Sequence, residues 1–418
     1  MRKLLFVLFF IPVLSACSSS VEAVENPAKY ISEISELDIP DEVRVIGLGE
    51  ATHGNSEFQQ LKKEVMDALM QNEGVRVFVL EGDFGAGRKI NQFILSGKGT
   101  AKEAVFSLDY DIYKTQEMID LVQWMYEHNL EASDDEIIYF YGNDMQRYDA
   151  SKRNLLEFYQ QVAEAKGEQY RRKLSEVSNE TLRDLSRDER NKALETLEEI
   201  MIDLQTNKQQ YTEQTSADHY QFALQYAKVL KQRTNLFLTD NYAQLRDQYL
   251  AENLKWIVDY EATRGNDKVL VSGHNGHIEK TSANVAGYQS MGQYLDELYG
   301  SEYFAIGTDL LESEFLAKNG SSGDKRGVFR INNNNDLVDS FKDVKENIFY
   351  LDFGNASEST KLLMILSSKQ KMVNVGDQFS SWYKLMKKFY TIEMIPNEAY
   401  DGLIIVKEAK PTELIGEK

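Results

Sequence analysis

Short apolar runs alternate with longer amphipathic stretches along most of the chain. The β-branched run at 43–46 is typical of a buried strand, and a glycine-rich turn follows it. Apolar residues then recur every three or four positions across 58–69, which places them on one face of a helix. We expect that helix to begin near Asn55 or Ser56. The first unit of the chain is therefore a strand, a tight loop and a helix.

Six further apolar runs are predicted to be strands, and helical patterns separate most of them. The runs are Val75 to Leu80, Ile137 to Tyr141, Val269 to Ser272, Tyr303 to Ile306, Ile348 to Leu351 and Leu403 to Val406. In the stretch between the runs at 75–80 and 137–141, Met118, Val122 and Met125 share one helical face. This alternation predicts a layered α/β fold with a mostly parallel sheet flanked by helices.

The interval 150–264 differs in composition from the rest of the chain. It is rich in Glu, Gln, Lys, Leu and Tyr, and it shows a single glycine and no strand-like run. We expect a long all-helical insertion there, either a solvated helical bundle or a cap over the active edge of the sheet. Low helix propensity predicts a break around 175–187. The α/β catalytic domain would then comprise residues 30–149 and 265–418.

The N-terminus has the form of an export signal. Two cations precede an apolar run that is too short for a comfortable membrane span. The sequence LSAC, which ends at Cys17, resembles a bacterial lipobox. Residues 1–16 are therefore interpreted as a lipoprotein signal peptide, and residues 17–29 as a tether. An ordinary secretory signal with a chance cysteine is the alternative. The prediction is an extracytoplasmic bacterial lipoprotein, anchored to the membrane through lipid on Cys17.

The chain is strongly acidic, with 47 basic and 67 acidic side chains and a formal net charge of −20. This charge argues against nucleic acid as a partner, because binding to phosphates requires a cationic face. It also argues against electrostatic adhesion to anionic lipid, so the lipid anchor is the expected membrane attachment. Because Cys17 is the single cysteine, no disulfide can form within one chain and the folded part has no cysteine nucleophile.

Acids and imidazoles follow the ends of the first four predicted strands. They are Glu50, His53 and Glu57 after the first strand, Glu81 and Asp83 after the second, Asp144 after the third, and His274 and His277 after the fourth. Parallel strands place their carboxyl ends at one edge of a sheet, so these groups are expected to converge on one pocket. An acid and an imidazole three residues apart can share a proton, as general base chemistry requires. A capping role is the alternative for any one of these loops taken alone.

Several stretches resemble motifs of the erythromycin esterase family, in the same order. GEATHGNSEF, from Gly49, is similar to the first motif, LEGDFGAGRKIN, from Leu80, to the second, and VSGHNGHIEK, from Val271, to the histidine motif. RDQYLAENLKWI, MGQYLDELYGSEYFAIG and YDGLIIV also resemble family segments. Phe84 replaces a tryptophan that is common in the second motif, and GNDMQ at 142–146 departs from the family pattern.

This resemblance implies a hydrolase that acts on a small-molecule ester, because family members cleave a macrolide lactone. It implies that His53 is the general base, that Glu50 and Glu81 are active-site acids, and that His274 is the second active-site histidine. Our hypothesis is that His53 activates water, and that His274 polarises the oxyanion or protonates the leaving alcohol. No Gly-x-Ser-x-Gly motif is present, and Ser272, the nearest candidate nucleophile, lies within a predicted strand. The natural substrate, and with it any role in antibiotic resistance, stays open.

Substrate binding is assigned to polar residues around these four. They are Glu57, Lys62, Asp83, Arg88, Asp144 and His277. Lys62 and Arg88 could hold carboxylates in register, although both are equally typical of solvated helix positions. Lys62 stands where some family members carry arginine, and a lysine there would weaken a bidentate grip on a substrate or on Glu81.

Two other functions stay open at this point. No cofactor is expected, but His53, His274, His277 and Glu81 could together bind zinc or manganese, as in a metal-dependent hydrolase. The two histidines that follow the fourth strand need not face one ion, because a glycine turn precedes them. The wider structural relatives of the family include a haem-associated iron-uptake lipoprotein. A non-catalytic ligand-binding surface lipoprotein is therefore the other alternative.

Overall fold

The computed structural model describes residues 24–284, 286–320 and 325–416. The predicted signal peptide, Cys17 and the first part of the tether lie outside the described residues. The strands are β1 (Ile31–Ser32), β2 (Val45–Glu50), β3 (Val77–Asp83), β4 (Tyr139–Asp144), β5 (Val269–His274), β6 (Tyr303–Asn319), β7 (Arg326–Asn332), β8 (Ile348–Asp352), β9 (Gln370–Val373), β10 (Gln378–Phe379), β11 (Thr391–Met394) and β12 (Gly402–Ala409). The helices are α1 (Ser56–Glu73), α2 (Phe84–Ser96), α3 (Ala101–Phe106), α4 (Gln116–Glu131), α5 (Asp149–Val162), α6 (Glu164–Lys173), α7 (Arg187–Thr206), α8 (Lys208–Gln214), α9 (Ala217–Asn235), α10 (Tyr242–Ala262), α11 (Asn275–Ile278), α12 (Met291–Tyr299), α13 (Asp336–Asp339), α14 (Phe353–Ala356), α15 (Thr360–Leu366) and α16 (Pro396–Ala399).

One 10-stranded sheet forms the centre of the molecule, in the order β1-β8-β12-β6-β2-β5-β3-β4, with β7 and β10 also paired to β6. All neighbours from β12 to β4 in that order pair in parallel. The strands β1, β7 and β8 pair antiparallel with their neighbours, and β9 and β11 form a separate antiparallel pair. The predicted α/β fold with a mostly parallel sheet is therefore confirmed.

Both faces of this sheet are buried, which explains why its strands read as continuous apolar runs. Successive side chains of a strand point to opposite faces. In β3, Val77 and Val79 pack into the core shared with the helices of the 150–264 interval, whereas Phe78 and Leu80 pack into the core shared with α1, α2 and α4. Two cores, one on each face, hold the central strands in place.

The structure describes every residue between Asp149 and Ala262, and this stretch contains six helices, α5 to α10, and no strand. The all-helical insertion is therefore present, and the predicted break lies between α6 and α7. Helix α5 contacts α2, and α10 contacts β4, so the insertion packs directly on the sheet. The division of the chain into domains at 149/150 and 264/265 stays a prediction. None of the described helices has the length and apolar character needed to cross a membrane.

The strand β6 is much longer than the apolar run that predicted it. Its first part lies in the parallel sheet, and its second part, beyond Leu311, pairs antiparallel with β7. The sequence of β7 alternates apolar and polar residues because it is an edge strand with one face toward solvent. The hairpin formed by β6 and β7 reaches beyond the carboxyl edge of the central strands and provides one wall of the site described next.

Candidate active site

The loop after β2, which carries Glu50 and His53, is fixed by close contacts with neighbouring strands. A Cβ at Gly54 would lie 1.9 Å from the backbone oxygen of Leu316, so only glycine fits there. Asn55 occupies the N-cap position of α1, as predicted, but its side chain does not cap the helix. It donates instead to a serine hydroxyl and to two backbone oxygens of the chain passing beside it. The loop is therefore held by tertiary contacts.

Glu50 is a buried carboxylate that lies between an imidazole and an ammonium group. Its Oε1 is 2.5 Å from His53 Nδ1, and its Oε2 accepts a hydrogen bond of 2.7 Å from Lys62 Nζ. Lys62 is fully buried and also donates to Gln59 Oε1. Burial raises the pKa of Glu50, but the charges of Lys62 and His53 outweigh it and lower the pKa to about 2. Glu50 is therefore ionised at neutral pH and fixes the orientation of the His53 ring.

His53 is the more basic of two imidazoles that face each other. Burial lowers the pKa of His53, but the carboxylates of Glu50, Glu81 and Asp377 outweigh this effect and raise the pKa above 6.5. Because Nδ1 is bound to Glu50, Nε2 is the ring nitrogen available for proton transfer. This combination of an anchored Nδ1 and a raised pKa is that of a general base near neutral pH.

His274 lies opposite, at the end of β5, with its ring centroid 5.0 Å from that of His53. Burial, together with the proximity of His53 and His277, lowers the pKa of His274 to about 3. The imidazole is therefore neutral at neutral pH. Its Nε2 atom is buried and has no hydrogen-bond partner among the described residues. Buried polar atoms without a partner are rare in folded proteins and are often found at functional sites.

Arg246, from α10, joins carboxylates that come from two strands. Its Nη2 donates to Glu81 Oε1 at 2.6 Å and to Asp144 Oδ2 at 2.7 Å, and its Nη1 lies 3.0 Å from His277 Nε2. Glu81 Oε2 accepts a hydrogen bond of 2.9 Å from the backbone N–H of His274. Burial raises the pKa of Glu81, but His277 and Arg246 outweigh it and hold the pKa well below its usual range. Glu81, at the end of β3, therefore forms hydrogen bonds to both β5 and α10.

Asp247, the next residue of α10, orients His277. The Nδ1 atom of His277 lies 2.6 Å from Asp247 Oδ1, which also accepts the backbone N–H of Met291. Burial lowers the pKa of His277, but Asp247 and Glu81 outweigh it and raise the pKa above 6.5. Sequence reasoning assigned no role to Arg246 or Asp247. The sequence offered one signal, an arginine and an aspartate at consecutive positions of a helical segment. Charged side chains are rarely buried unless they are paired, so such residues would each need a partner if the helix is buried.

The three histidines, Glu81, Asp144 and Arg246 line one cavity of about 500 Å³ at the carboxyl edge of the parallel strands, named here the strand-end cavity. Glu50 and Asp247 are not part of its lining and bind the imidazoles of His53 and His277 from outside it. Its lining residues are His53, Glu81, Tyr110, Asp111, Ile112, Asp144, Gln146, Arg147, Arg183, Arg233, Tyr242, Arg246, His274, His277, Lys318, Arg326, Gly376 and Asp377. This described lining contains no serine, threonine or cysteine. Ser272, the candidate nucleophile, is buried within β5. The chemistry that the cavity offers is that of imidazoles, carboxylates and guanidinium groups.

Of the six predicted substrate-binding residues, the structure brings only Asp144 and His277 into the strand-end cavity. The other four have structural partners elsewhere. These partners are Lys410 N–H for Glu57, Glu50 for Lys62, Ala86 N–H for Asp83, and Glu157 for Arg88. Each of the four lies on a helix or at its start, so the rotation of that helix decides which way the side chain points. The distance along the chain from the strand end does not reveal that rotation.

The four residues predicted as a metal set come together, but they do not fit a metal ion in this arrangement. No group of three or more His, Cys, Asp or Glu side chains among the described residues is arranged to hold one. The guanidinium group of Arg246 lies against Glu81 and His277, where it would repel a bound cation. Both ring nitrogens of His277 already have partners. No step through a metal is therefore derived for this site.

The profile of the erythromycin esterase family matches residues 70–409. The chain therefore belongs to the erythromycin esterase family. Among the relatives of this erythromycin esterase family member, erythromycin esterase type II of Escherichia coli is 25% identical over 293 residues, which span 64% of this chain and 68% of that protein. Family membership confirms the predicted esterase type of hydrolase. The profile match begins after Glu50 and His53, so the roles of these two residues rest on the geometry of the site.

Solved structures of similar fold include a protein from Bacillus cereus, with a TM-score of 0.76 and 23% identity over 90% of this chain and 91% of that one. A succinoglycan biosynthesis protein gives a TM-score of 0.75 and 22% identity over 90% of each chain. A mutant of the erythromycin esterase EreC in its open conformation gives 0.64 and 14%, over 90% of this chain and 93% of that one. The TM-scores show that this erythromycin esterase family member shares their fold.

Proposed function

We propose that this member of the erythromycin esterase family hydrolyses a small-molecule ester or lactone by attack of a water molecule that His53 deprotonates. The observation that carries the proposal is the contact of 2.5 Å between His53 Nδ1 and the ionised Glu50. It orients the ring, leaves Nε2 toward the strand-end cavity, and raises the basicity of that nitrogen. The proton of water passes to Nε2, and the hydroxide oxygen forms a bond to the ester carbonyl carbon.

His274 is proposed to stabilise the oxyanion that this attack creates. Because its pKa is lowered to about 3, the ring is neutral and acts as a hydrogen-bond donor rather than as an acid. Its buried Nε2 atom has no hydrogen-bond partner among the described residues and is free to donate to the developing negative charge. A donor that is already in place, in a site largely shielded from water, needs little rearrangement during the reaction.

The bond to the leaving alcohol then breaks, and the alkoxide oxygen takes a proton. His277 offers no free N–H, because its Nε2 lies 3.0 Å from the Arg246 guanidinium, which can only donate, and its Nδ1 is bound to Asp247. We therefore assign the leaving-group proton to Nε2 of the protonated His53, which returns to its basic form. A covalent route finds less support, since the described lining of the strand-end cavity offers no hydroxyl or thiol of serine, threonine or cysteine.

The test compares the wild-type protein with His53→Ala on a panel of simple esters and macrolides, with and without a chelator, by mass spectrometry of the products. We expect His53→Ala to lower kcat by about 100-fold or more, as for loss of a general base. The matched control is His128→Ala, which alters a histidine of α4 outside the strand-end cavity and should leave the rate unchanged. We expect the chelator to have no effect.

Other outcomes would point to other mechanisms. Retention of most activity in His53→Ala would contradict the general base role. Loss of wild-type activity with chelator would favour the metal-dependent alternative, and recovery with added zinc or manganese would identify the ion. A folded wild-type protein that cleaves no ester would favour the ligand-binding alternative, and a bound chromophore after purification would support it.

The cellular site of action is proposed from the N-terminal sequence. We propose that Cys17 is lipidated after removal of residues 1–16 and holds the protein on the outer side of a bacterial membrane. The lipobox-like sequence LSAC supports this proposal. Labelling of the wild type with a radioactive fatty acid, and its loss in Cys17→Ser, would test it. Labelling that persists in Cys17→Ser would show that another residue carries the lipid.

A further inference from the structure

The strand-end cavity has a charge opposite to that of the chain as a whole. Although the net charge of the chain is −20, six cationic side chains line this cavity and only four carboxylates do. The cations are Arg147, Arg183, Arg233, Arg246, Lys318 and Arg326, and the carboxylates are Glu81, Asp111, Asp144 and Asp377. Charged walls around a concave site concentrate their potential inside it. The cavity is therefore a cationic site in an acidic protein.

Four of the cations are held by carboxylates of the protein itself. Arg246 binds two of them, as described above. Lys318 and Arg326 share the single carboxylate of Asp377, at 3.1 Å and 2.6 Å. Arg147 lies 3.5 Å from a carboxylate outside the cavity. Asp111 also lies within electrostatic reach of Lys318 and Arg326. The Nη2 atom of Arg326 is buried without a hydrogen-bond partner among the described residues.

Arg183 and Arg233, both from the helical insertion, have no carboxylate partner among the described residues. The guanidinium carbon of Arg233 lies 4.5 Å from the centroid of the Phe237 ring, and its Nη1 donates to Tyr242 Oη at 3.1 Å. Its Nε is buried and has no hydrogen-bond partner in the described part of the chain. Stacking thus fixes the orientation of this guanidinium while its charge stays uncompensated. A fixed, uncompensated guanidinium is suited to bind a carboxylate or phosphate group.

We propose that the substrate of this site is an anionic ester, whose carboxylate or phosphate group binds Arg233 and Arg183 while its ester carbonyl lies beside His53 and His274 in the strand-end cavity. The proposal rests on the hydrolase function proposed above and narrows its substrate class. A substrate with a protonated amine at the same position would be repelled by this wall. The helical insertion then determines specificity, because it supplies both arginines.

The test uses two esters with the same five-carbon diacid chain and the same leaving group. One is the 4-nitrophenyl monoester of glutaric acid, which keeps a free carboxylate, and the other is 4-nitrophenyl methyl glutarate, which is neutral. We expect the wild-type protein to show a kcat/KM for the anionic ester that is about tenfold higher than for the neutral one, as for one charge-assisted hydrogen bond. Raising NaCl from about 50 mM to about 500 mM should shrink that ratio, because salt screens exposed charges.

Arg233→Gln should lower the ratio of the two kcat/KM values about tenfold, because it removes the charge-assisted bond. Arg183→Gln should act in the same direction with a smaller effect, because Arg183 is exposed and solvent screens its charge. The matched control is Arg172→Gln, an exposed arginine of α6 that does not line the cavity, and it should keep the wild-type ratio. Thermal unfolding of each variant confirms that it is folded.

Different results would overturn the anionic substrate and the hydrolase function. Equal wild-type rates for the two esters, or a ratio that Arg233→Gln leaves unchanged, would overturn the anionic substrate while leaving the hydrolase in place. If neither ester is cleaved, the hydrolase proposal fails, and calorimetry with glutarate and with inorganic phosphate decides the matter. Binding of either anion to the wild type, weakened in Arg233→Gln, would support anion recognition and identify which anion is preferred. No binding of either to the wild type would overturn it.

Discussion

Replacing Lys62 by methionine removes the ammonium group that binds the Glu50 carboxylate and keeps most of the volume of the side chain. Lys62 is 0% exposed, and its Nζ lies 2.7 Å from Glu50 Oε2 and 3.0 Å from Gln59 Oε1. In Lys62→Met, the buried Glu50 carboxylate would keep only His53 as a charged partner. The substitution therefore tests whether this buried ion pair stabilises the loop that carries the proposed general base.

The magnitude follows from the distance between the two charges. Unit charges 2.7 Å apart attract each other by about 6 kcal/mol at an effective dielectric constant of about 20. Desolvation of both groups offsets much of that attraction, and breaking a buried pair by removing one partner costs about 3–5 kcal/mol. Because His53 still faces Glu50, we expect Lys62→Met to lower the free energy of unfolding by about 3 kcal/mol.

A double-mutant cycle in urea at neutral pH measures this coupling. The variants are Lys62→Met, Glu50→Gln and the double mutant. We expect the double mutant to be more stable than the sum of the single effects predicts, by about 2 kcal/mol, because it leaves no uncompensated charge. Lys89→Met, at an exposed position of α2, is the matched control and should change stability by less than about 0.5 kcal/mol. Strictly additive effects would refute the argument.

The pH dependence gives a second check on the same pair. The pKa of Glu50 is lowered from 4.5 to about 2 by folding, so its contribution to stability is fully present above pH 4.5 and is lost as the pH falls through 2. A shift of this size corresponds to about 3 kcal/mol. The difference between the wild type and Lys62→Met should therefore shrink between pH 4.5 and pH 2. A difference that stays constant over this range would show that the loss comes from packing.

Three further predictions follow from the same geometry. First, kcat/KM of the wild type should rise with pH through an inflection above 6.5, because the base must be unprotonated and the pKa of His53 is raised. Glu50→Gln should move that inflection to lower pH, and an unchanged profile would contradict the pairing of Glu50 with His53. Second, Asp247→Asn should lower the pKa of the His277 imidazole, because the Asp247 carboxylate raises it; NMR titration of the ring measures that pKa, and an unchanged value would contradict the pairing. Third, burial and the nearby Asp144 raise the pKa of Asp83 from 3.8 to about 8, so the wild type should lose stability as the pH rises from 3.8 to 8, whereas Asp83→Asn should not. Urea unfolding at several pH values measures the stability of both proteins, and parallel curves would contradict this role of Asp83.

Much of the fold could be predicted because each central strand is buried on both faces. The seven predicted runs all fall on strands of the sheet, and the composition of the 150–264 interval matches its helices. The strands that were missed are β1, β7, β9, β10 and β11, which are short or exposed on one face. Strands such as β7 and β11 carry alternating or mixed residues, and short pairs like β9 and β11 are stabilised by their contacts with other elements.

The candidate site was predictable where its parts are local in sequence or lie at the ends of parallel strands. Glu50 and His53 are three residues apart, and His274 ends the strand that pairs with β2 in parallel. The prediction that acids and imidazoles at successive strand ends converge therefore follows from one rule of sheet geometry. No such rule says whether one particular residue of the following helix points toward the strand ends. Glu57 and Arg88 were therefore expected in a site that they do not line.

By itself the sequence determined the strand before Glu50 and the helix after His53, because the apolar pattern of each element is local. The loop between them is held by contacts with distant residues, so only the tertiary structure decided its conformation. Only the tertiary structure decided which partners set the charge and orientation of the other groups. Arg246 reaches Glu81 across 165 positions of the chain, and Arg233 faces the same cavity from another helix of the insertion. Such contacts depend on how the insertion packs against the sheet, because the crossing angles and offsets of packed helices are set by the partner surface.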